Sequence, residues 1–298
     1  SVTESFFALG GDSIMSIQVV ARAREHGLVL SPKDLFQHQT VRALARVARS
    51  AHAAETDQAP ATGPLALAPF QARFFATPIP SRHHWNQAVL LRPTVGLKPD
   101  ALRRALSALL ETHDALRLRF SLGDAGKWGA EYAPAAESPD ILWAQRLHDP
   151  EGLAKVCDEA QRSLDLAAGP MLRAVLVELP DGEQRLLLVA HHLVVDGVSW
   201  RILLPDLASA CAAAMAGRAI RLPVRGTSFR RWAERLHAHA SSPALAGELA
   251  LWTRMLAAPA APLVAEPLDP ILDTAGSARQ LTLTLPAEVT GPLLGAVP

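Results

Sequence analysis

The stretch RLLLVAHHLVVDGVSWRILL, residues 185–204, constrains this chain more than any other. Its opening RLLLVA is almost continuously apolar, which reads as a strand covered on both faces, as in a layered α/β domain. Asp196-Gly197 supplies a turn, and a helix is expected beyond it. Strand side chains alternate between faces, so His191 and His192 cannot both enter one cleft if the strand reaches that far, and spacing alone does not choose between them. Read by themselves, the two fit hydrogen-bonded core histidines. A zinc site is not expected, because no third ligand stands at suitable spacing.

Around this stretch, helical and strand patterns alternate. Helices are expected at 100–113, 152–163, 198–217, 228–239 and 245–257; strands at 87–92, 116–120, 171–179, 185–191 and 279–285. Pro205 falls inside one of these helices and is expected to kink it. The fold class is therefore α/β (α+β). Residues 49–63, RSAHAAETDQAPATG, are small, polar and Pro-containing, and read as a linker. Residues 1–48 read as a separate helical piece, with Ile14, Ile17, Val20 and Ala21 on one helix face, Gly27 as an αL cap and Thr40 as the N-cap of a second helix.

Composition removes several function classes. The 29 basic residues balance 29 acidic ones, without the basic excess that phosphate tracking needs, so nucleic acid is not an expected partner. No apolar run reaches the roughly 18 residues of a membrane span, so no membrane association is expected. Cys157 and Cys211 lack metal-ligand spacing and are expected to be buried free thiols in a reducing, cytoplasmic setting. The chain opens with Ser1 rather than Met and has no signal peptide, as expected of a piece of a longer protein.

In LGGDSIMS, residues 9–16, Gly10 and Gly11 form a flexible loop before Asp12 and Ser13 at the start of a helix. The plain reading is a capped helix. A second is a phosphate carried on Ser13, favoured by the amide hydrogens and dipole of the helix start.

The string FFALGGDSIMSIQVVARAREHG resembles the core motif of carrier domains in nonribosomal peptide synthetases. The resemblance implies a 4'-phosphopantetheine arm on Ser13 that carries an aminoacyl or peptidyl thioester. An Asp at the position of Asp12 is typical of carriers that feed an epimerization domain. Implied partners are a phosphopantetheinyl transferase, an upstream adenylation domain and a downstream condensation domain. The match covers less than a whole carrier, so residues 1–48 are expected to be loosely folded.

HHLVVDG, residues 191–197, resembles the HHxxxDG hallmark of the condensation-domain superfamily, whose fold is two lobes related to chloramphenicol acetyltransferase. The extension VSWRIL, with Ser199 and Trp200, is similar to the epimerization subgroup. LALAPFQARFF, SRHHWNQAVLL, ETHDALRLRF with Arg117 and Arg119, LDLAAGPMLRA and TSFRRWAERL also match, in the right order. The implied organisation is a partial carrier over 1–48, a linker over 49–63 and the N-terminal lobe of an epimerization domain over 64–298. The subgroup's later motifs, including a glutamate opposite the histidine, are expected beyond Pro298, and the chain alone is expected to be inactive.

The implied reaction is L-to-D epimerization at the Cα of a carrier-bound thioester. His192, matched to the second motif histidine, would be the base or acid on one face. The start of the helix after Gly197 is expected to favour the developing oxyanion. Asp196 is expected to be structural, paired with Arg117 or Arg119, and His83 and His84 to be framework. Two rivals remain: amide-bond formation between carrier-bound substrates, and a non-catalytic docking module.

Overall fold

A computed structural model describes residues 1–50, 60–135, 140–223, 226–257, 269 and 271–295. The chain forms two compact units, Ser1–Ser242 and Pro243–Pro298. Residues 51–59 of the expected linker lie outside the described residues.

The first unit opens with α1 (Ser13–Glu25), β1 (Leu28–Val29), α2 (Pro32–Gln37), α3 (Val41–Val47) and β2 (Arg49–Ser50). Local chemistry sets these ends. Gly27 takes a positive φ of 75°, where a Cβ would be strained. Ser31 and Asp34 form a reciprocal capping box on α2, and the Thr40 hydroxyl accepts the Ala43 amide at 3.1 Å at the start of α3. β1 and β2 pair antiparallel. Among the described residues of this segment only Ser16 and Leu35 are buried, while Leu9, Phe36 and Val41 are exposed.

A larger layered part follows, built from β3 (Gly63–Leu65), α4 (Pro69–Ala76), β4 (Asn86–Leu91), α5 (Pro99–Thr112), β5 (Leu118–Leu122), β6 (Trp128–Tyr132), β7 (Leu142–Arg146), α6 (Gly152–Gln161), β8 (Leu172–Glu178), β9 (Gln184–His191), α7 (Gly197–Met215) and α8 (Phe229–Ala240). Its main sheet has the order β4-β9-β8-β7; only the β7–β8 pair is parallel. β9 shows why its sequence is apolar throughout. Leu186, Leu188 and Ala190 pack with α5 and α7, while Leu187 and Val189 pack with α6. On α5, Leu102, Leu106 and Leu109 recur at helical spacing, and burial of each contributes about 2 kcal/mol. A second sheet, β3-β6-β5, shares a core with α4 and α8 through Phe74, Phe75, Phe120, Tyr132 and Ala233.

Most expected elements appear with ends shifted by a few residues, while β1, α2, β2, β3, α4, β6 and β7 have no counterpart in the sequence reading. Residues Asp114–Arg117 form a 3₁₀ turn ahead of β5 rather than part of the strand. α7 continues through Pro205 to Met215. Pro205 and Arg201, the residue whose carbonyl loses its partner, are both exposed, so water can serve that carbonyl.

The second unit contains α9 (Pro243–Ala257), a 3₁₀ turn (Ala275–Ser277) and α10 (Ala287–Gly295). The strand expected at 279–285 does not form. Its residues join no ladder, and Leu281, Leu283 and Leu285 are exposed. Period-two Leu/Thr alternation creates one apolar face, but a strand also needs a neighbouring edge for its backbone groups.

Cys157 and Cys211 are free, but only Cys211 is buried, its thiol pushed up to about 11 by desolvation. Cys157 is half-buried, a correction to the expected burial. It lies on α6, whose fully buried positions are Val156 and Ala160. Among the described residues no helix is long and apolar enough to cross a membrane.

Candidate functional site

β9 ends at His191, and the main chain of His192 stays tied to the neighbouring segment through its amide, which donates to the Trp85 carbonyl at 2.8 Å. The two imidazoles occupy different surroundings. His191 has no solvent exposure. Its Nε2 donates to the Arg82 carbonyl at 2.7 Å, its Nδ1 accepts the Leu193 amide at 3.1 Å, and Phe74 lies edge-on at 5.8 Å. Burial lowers its pKa to about 4, the Arg82 carbonyl opposing only in part. This ring is neutral, with both nitrogens committed.

His192 is half-buried under Trp85, with ring centroids 4.6 Å apart. Its Nδ1 donates to the Val195 carbonyl at 2.8 Å, which leaves the lone pair on Nε2. The Gln87 side-chain amide stands 3.3 Å from that Nε2, and the Gln87 Oε1 accepts the Trp200 indole N–H at 2.9 Å. A half-exposed imidazole held in this tautomer can take a proton from an acid that approaches Nε2.

Asp196 is the N-cap of α7. Its carboxylate accepts the Ser199 amide at 2.8 Å and the Ser199 hydroxyl at 2.7 Å, and the Ser199 hydroxyl in turn accepts the Asp196 amide at 3.1 Å. Burial alone would raise this carboxyl, but Ser199, the Val198 amide and nearby His192 together hold it below its ordinary value. Two expectations are corrected here. Asp196 pairs with neither arginine, and the Val198 and Ser199 amides expected to favour an oxyanion already face a carboxylate, whose charge opposes a second anion. Gly197 begins α7 with open space where a Cβ would lie and without a positive φ, so no steric demand of the described residues requires glycine there.

Arg117 is also placed differently from the expectation. It is fully buried, pairs with Asp114 at 2.5 Å and donates to the Leu110, Ala133 and Ala61 carbonyls. Those partners absorb its guanidinium, so it supports the sheet and its entry rather than the His191–Trp200 loop. Arg119 donates to the Leu118 carbonyl and lies where a Cβ on Gly169 would intrude. His83 accepts the Leu166 amide at 3.1 Å, which makes it a framework residue, while the His84 main-chain amide donates to the Ser81 carbonyl and its side chain is exposed.

Ser13, the second candidate, is the exposed first residue of α1. The Asp12 carboxylate accepts the Met15 amide at 2.6 Å and caps that helix. Gly10 has φ 88°, and a Cβ on Gly11 would stand 2.6 Å from Phe6. Both glycines are therefore required by the turn that presents Ser13. The exposed hydroxyl, with the neighbouring carboxylate turned into its own helix, leaves room for a phosphopantetheinyl ester. Among the described residues no group of three His, Cys, Asp or Glu is placed to hold a metal ion.

Gln87 and Trp85 had no assigned role in the sequence. Gln87 is a polar side chain in the otherwise largely apolar NQAVLL strand, a weak local signal. Its relation to His192 depends on the β4–β9 register that sets Gln87 opposite Ala190.

Residues 62–294 match the family described as Condensation domain, and residues 1–48 match Phosphopantetheine attachment site. A linear gramicidin synthase polypeptide of Brevibacillus parabrevis is 41% identical over 307 residues, which cover 100% of this chain and 6% of that protein. The chain thus spans a small fraction of the curated relatives it matches. Among solved structures, the epimerization domain from the third module of tyrocidine synthetase B is similar with a TM-score of 0.72 and 32% identity, covering 80% of this chain and 55% of that one. The first condensation domain of the calcium-dependent antibiotic synthetase follows with a TM-score of 0.55 and 25% identity, covering 64% and 47%. The chain belongs to the condensation-domain family of nonribosomal peptide synthetases and carries a phosphopantetheine attachment site ahead of that domain.

Proposed function

We propose that this lobe epimerizes, L to D, the Cα of an aminoacyl or peptidyl thioester delivered on the carrier, with His192 exchanging the Cα proton. The observation that carries the reading is the His192 ring itself, half-buried against Trp85, with Nδ1–H held by the Val195 carbonyl and Nε2 left as the acceptor. His191 is unsuited to this role, because it has no solvent exposure and both of its nitrogens are bonded to main-chain groups, whereas the Nε2 of half-buried His192 meets the Gln87 side chain. The higher similarity to an epimerization domain than to a condensation domain supports epimerization over amide formation.

Ser13 is the attachment hydroxyl in this reading, within a carrier segment over 1–48 that precedes the lobe. When bound, the phosphopantetheine supplies a thiol whose thioester acidifies the neighbouring Cα–H, because sulfur donates poorly into the carbonyl. The residues of this chain then do three things. Trp85 walls one side of the base, Val195 sets its tautomer, and His192 Nε2 takes the proton and returns it. An acid on the opposite face, the glutamate that the subgroup resemblance implies, completes inversion. A phosphopantetheinyl transferase, an adenylation domain and a condensation domain are the proposed partners.

The test uses the full synthetase with an L-aminoacyl arm on Ser13 in deuterated water. Deuterium incorporation at Cα with D-product is expected, and His192→Ala should lower it by about 10²- to 10⁴-fold. An amide product without exchange would establish the condensation reading, which the family match also accommodates. Neither outcome would leave a docking role.

A further inference from the structure

We propose that Gln87 is a positioning residue for His192, and that the chain from Trp200 through Gln87 selects the imidazole nitrogen that keeps its lone pair. The inference rests on the reading of His192 as the proton-transferring group. Hydrogen-bond chemistry dictates the direction at every link. An indole N–H can only donate, so the Gln87 atom 2.9 Å from Trp200 Nε1 is the carbonyl oxygen. That orientation turns the Gln87 amide nitrogen, a donor only, towards His192, 3.3 Å from Nε2. The nitrogen it meets must accept. At the other end of the ring a main-chain carbonyl 2.8 Å from Nδ1 can only accept, so Nδ1 must carry the hydrogen. Both ends of the imidazole are therefore instructed independently, and both instructions name the same tautomer.

The arrangement also acts on the charged state. A proton on Nε2 would set a ring N–H against the Gln87 NH₂, two donors facing one another. Gln87 cannot turn its oxygen towards the ring without abandoning the Trp200 N–H. Gln87 thus presents Nε2 as an acceptor before the Cα proton arrives, the state that a base at this position needs. The other titratable groups near the ring are Asp196, the N-cap of α7, and His191, on β9. Neither is within the hydrogen-bonded chain, so Gln87 is the group that addresses Nε2 directly.

Cα deuterium exchange on the loaded full synthetase tests this with Gln87→Leu, Gln87→Glu, Trp200→Phe and the Gln87→Leu/Trp200→Phe pair. Gln87→Leu should lower kcat about tenfold with KM for the loaded carrier unchanged. Trp200→Phe should lose less, and the pair no more than Gln87→Leu alone, because both changes cut one chain. Gln87→Glu keeps an acceptor for Trp200 but presents a carboxylate to Nε2, so the acidic limb of its pH–rate profile should move to higher pH. A purely structural role would leave that limb in place. Wild-type kcat and pH profile in the Gln87 variants, or additive losses in the pair, would overturn the proposal while the function stands. Absence of exchange in the wild type would instead overturn the function, and this inference with it.

Discussion

Protonating His191 would mean charging an imidazole that has no water beside it and whose Nδ1 already accepts a main-chain amide. The native ring titrates near 4, against about 6.5 in the unfolded chain, so between these values the unfolded state binds more protons. Stability is then fully present above about 6.5 and falls as the pH drops towards 4, by about 3 kcal/mol in all. Urea midpoints measured from pH 7 to pH 4 should decline in the wild type and decline less in His191→Gln, which begins from a lower value. A wild-type midpoint that holds level through this window would show that the ring is already charged or exposed. His192, one residue along, is only half-buried, because the chain leaves the strand there and its ring lies against Trp85.

At the scale of an element, α7 links stability to the site. Its N-cap carboxylate closes the 192–196 turn whose Val195 carbonyl holds His192, so the helix start and the base share one piece of backbone. Asp196→Ala should cost about 1 kcal/mol of stability and lower turnover, because the freed amides and the loosened turn act together. Asp196→Asn keeps a side-chain acceptor of nearly equal capping strength and should retain the melting temperature. Parallel melting curves check this; an equal loss in both variants would mean that the carboxylate charge, rather than the cap, is what matters. His113, the C-cap residue of α5, and Asp206, on α7, meet at 2.8 Å, a second tie between these helices that spacing in the sequence does not announce.

Across the whole layered part, Arg117 joins segments far apart in the chain. It touches the end of α5, the residue after β6 and Ala61 ahead of β3, while Asp114 balances its charge. Removing the guanidinium takes the countercharge from buried Asp114, so Arg117→Ala should cost about 3–5 kcal/mol. The midpoint of chemical denaturation measures that loss; a change below about 1 kcal/mol would mean that water reaches Asp114 freely. The functional consequence is indirect, since the sheet that Arg117 supports shares a core with Phe74, the ring that stacks on Trp85.

What could be read in advance follows the range of the forces involved. The double-sided burial of β9, the Thr40 cap and the exposed Ser13 at a helix start are written within a few residues, because alternation and capping are short-range chemistry. The His doublet was equally visible, but its division of labour was not. That division required the β4–β9 pairing, which brings Gln87 beside a ring 105 residues away, and the packing that dries His191. The same gap in range explains the errors. Asp196 and Arg117 lie close to a shared motif logic, yet each found a partner three residues off, Ser199 and Asp114. Residues 279–285 alternate as a strand should and still form none, because alternation supplies a face while only a neighbouring edge supplies hydrogen bonds. Sequence alone determined which segments could be helix or strand and which residue types could do acid–base chemistry. Tertiary structure decided which nitrogen of which histidine keeps its hydrogen and which is left to accept one, because that depends on donors and acceptors brought together from distant parts of the chain.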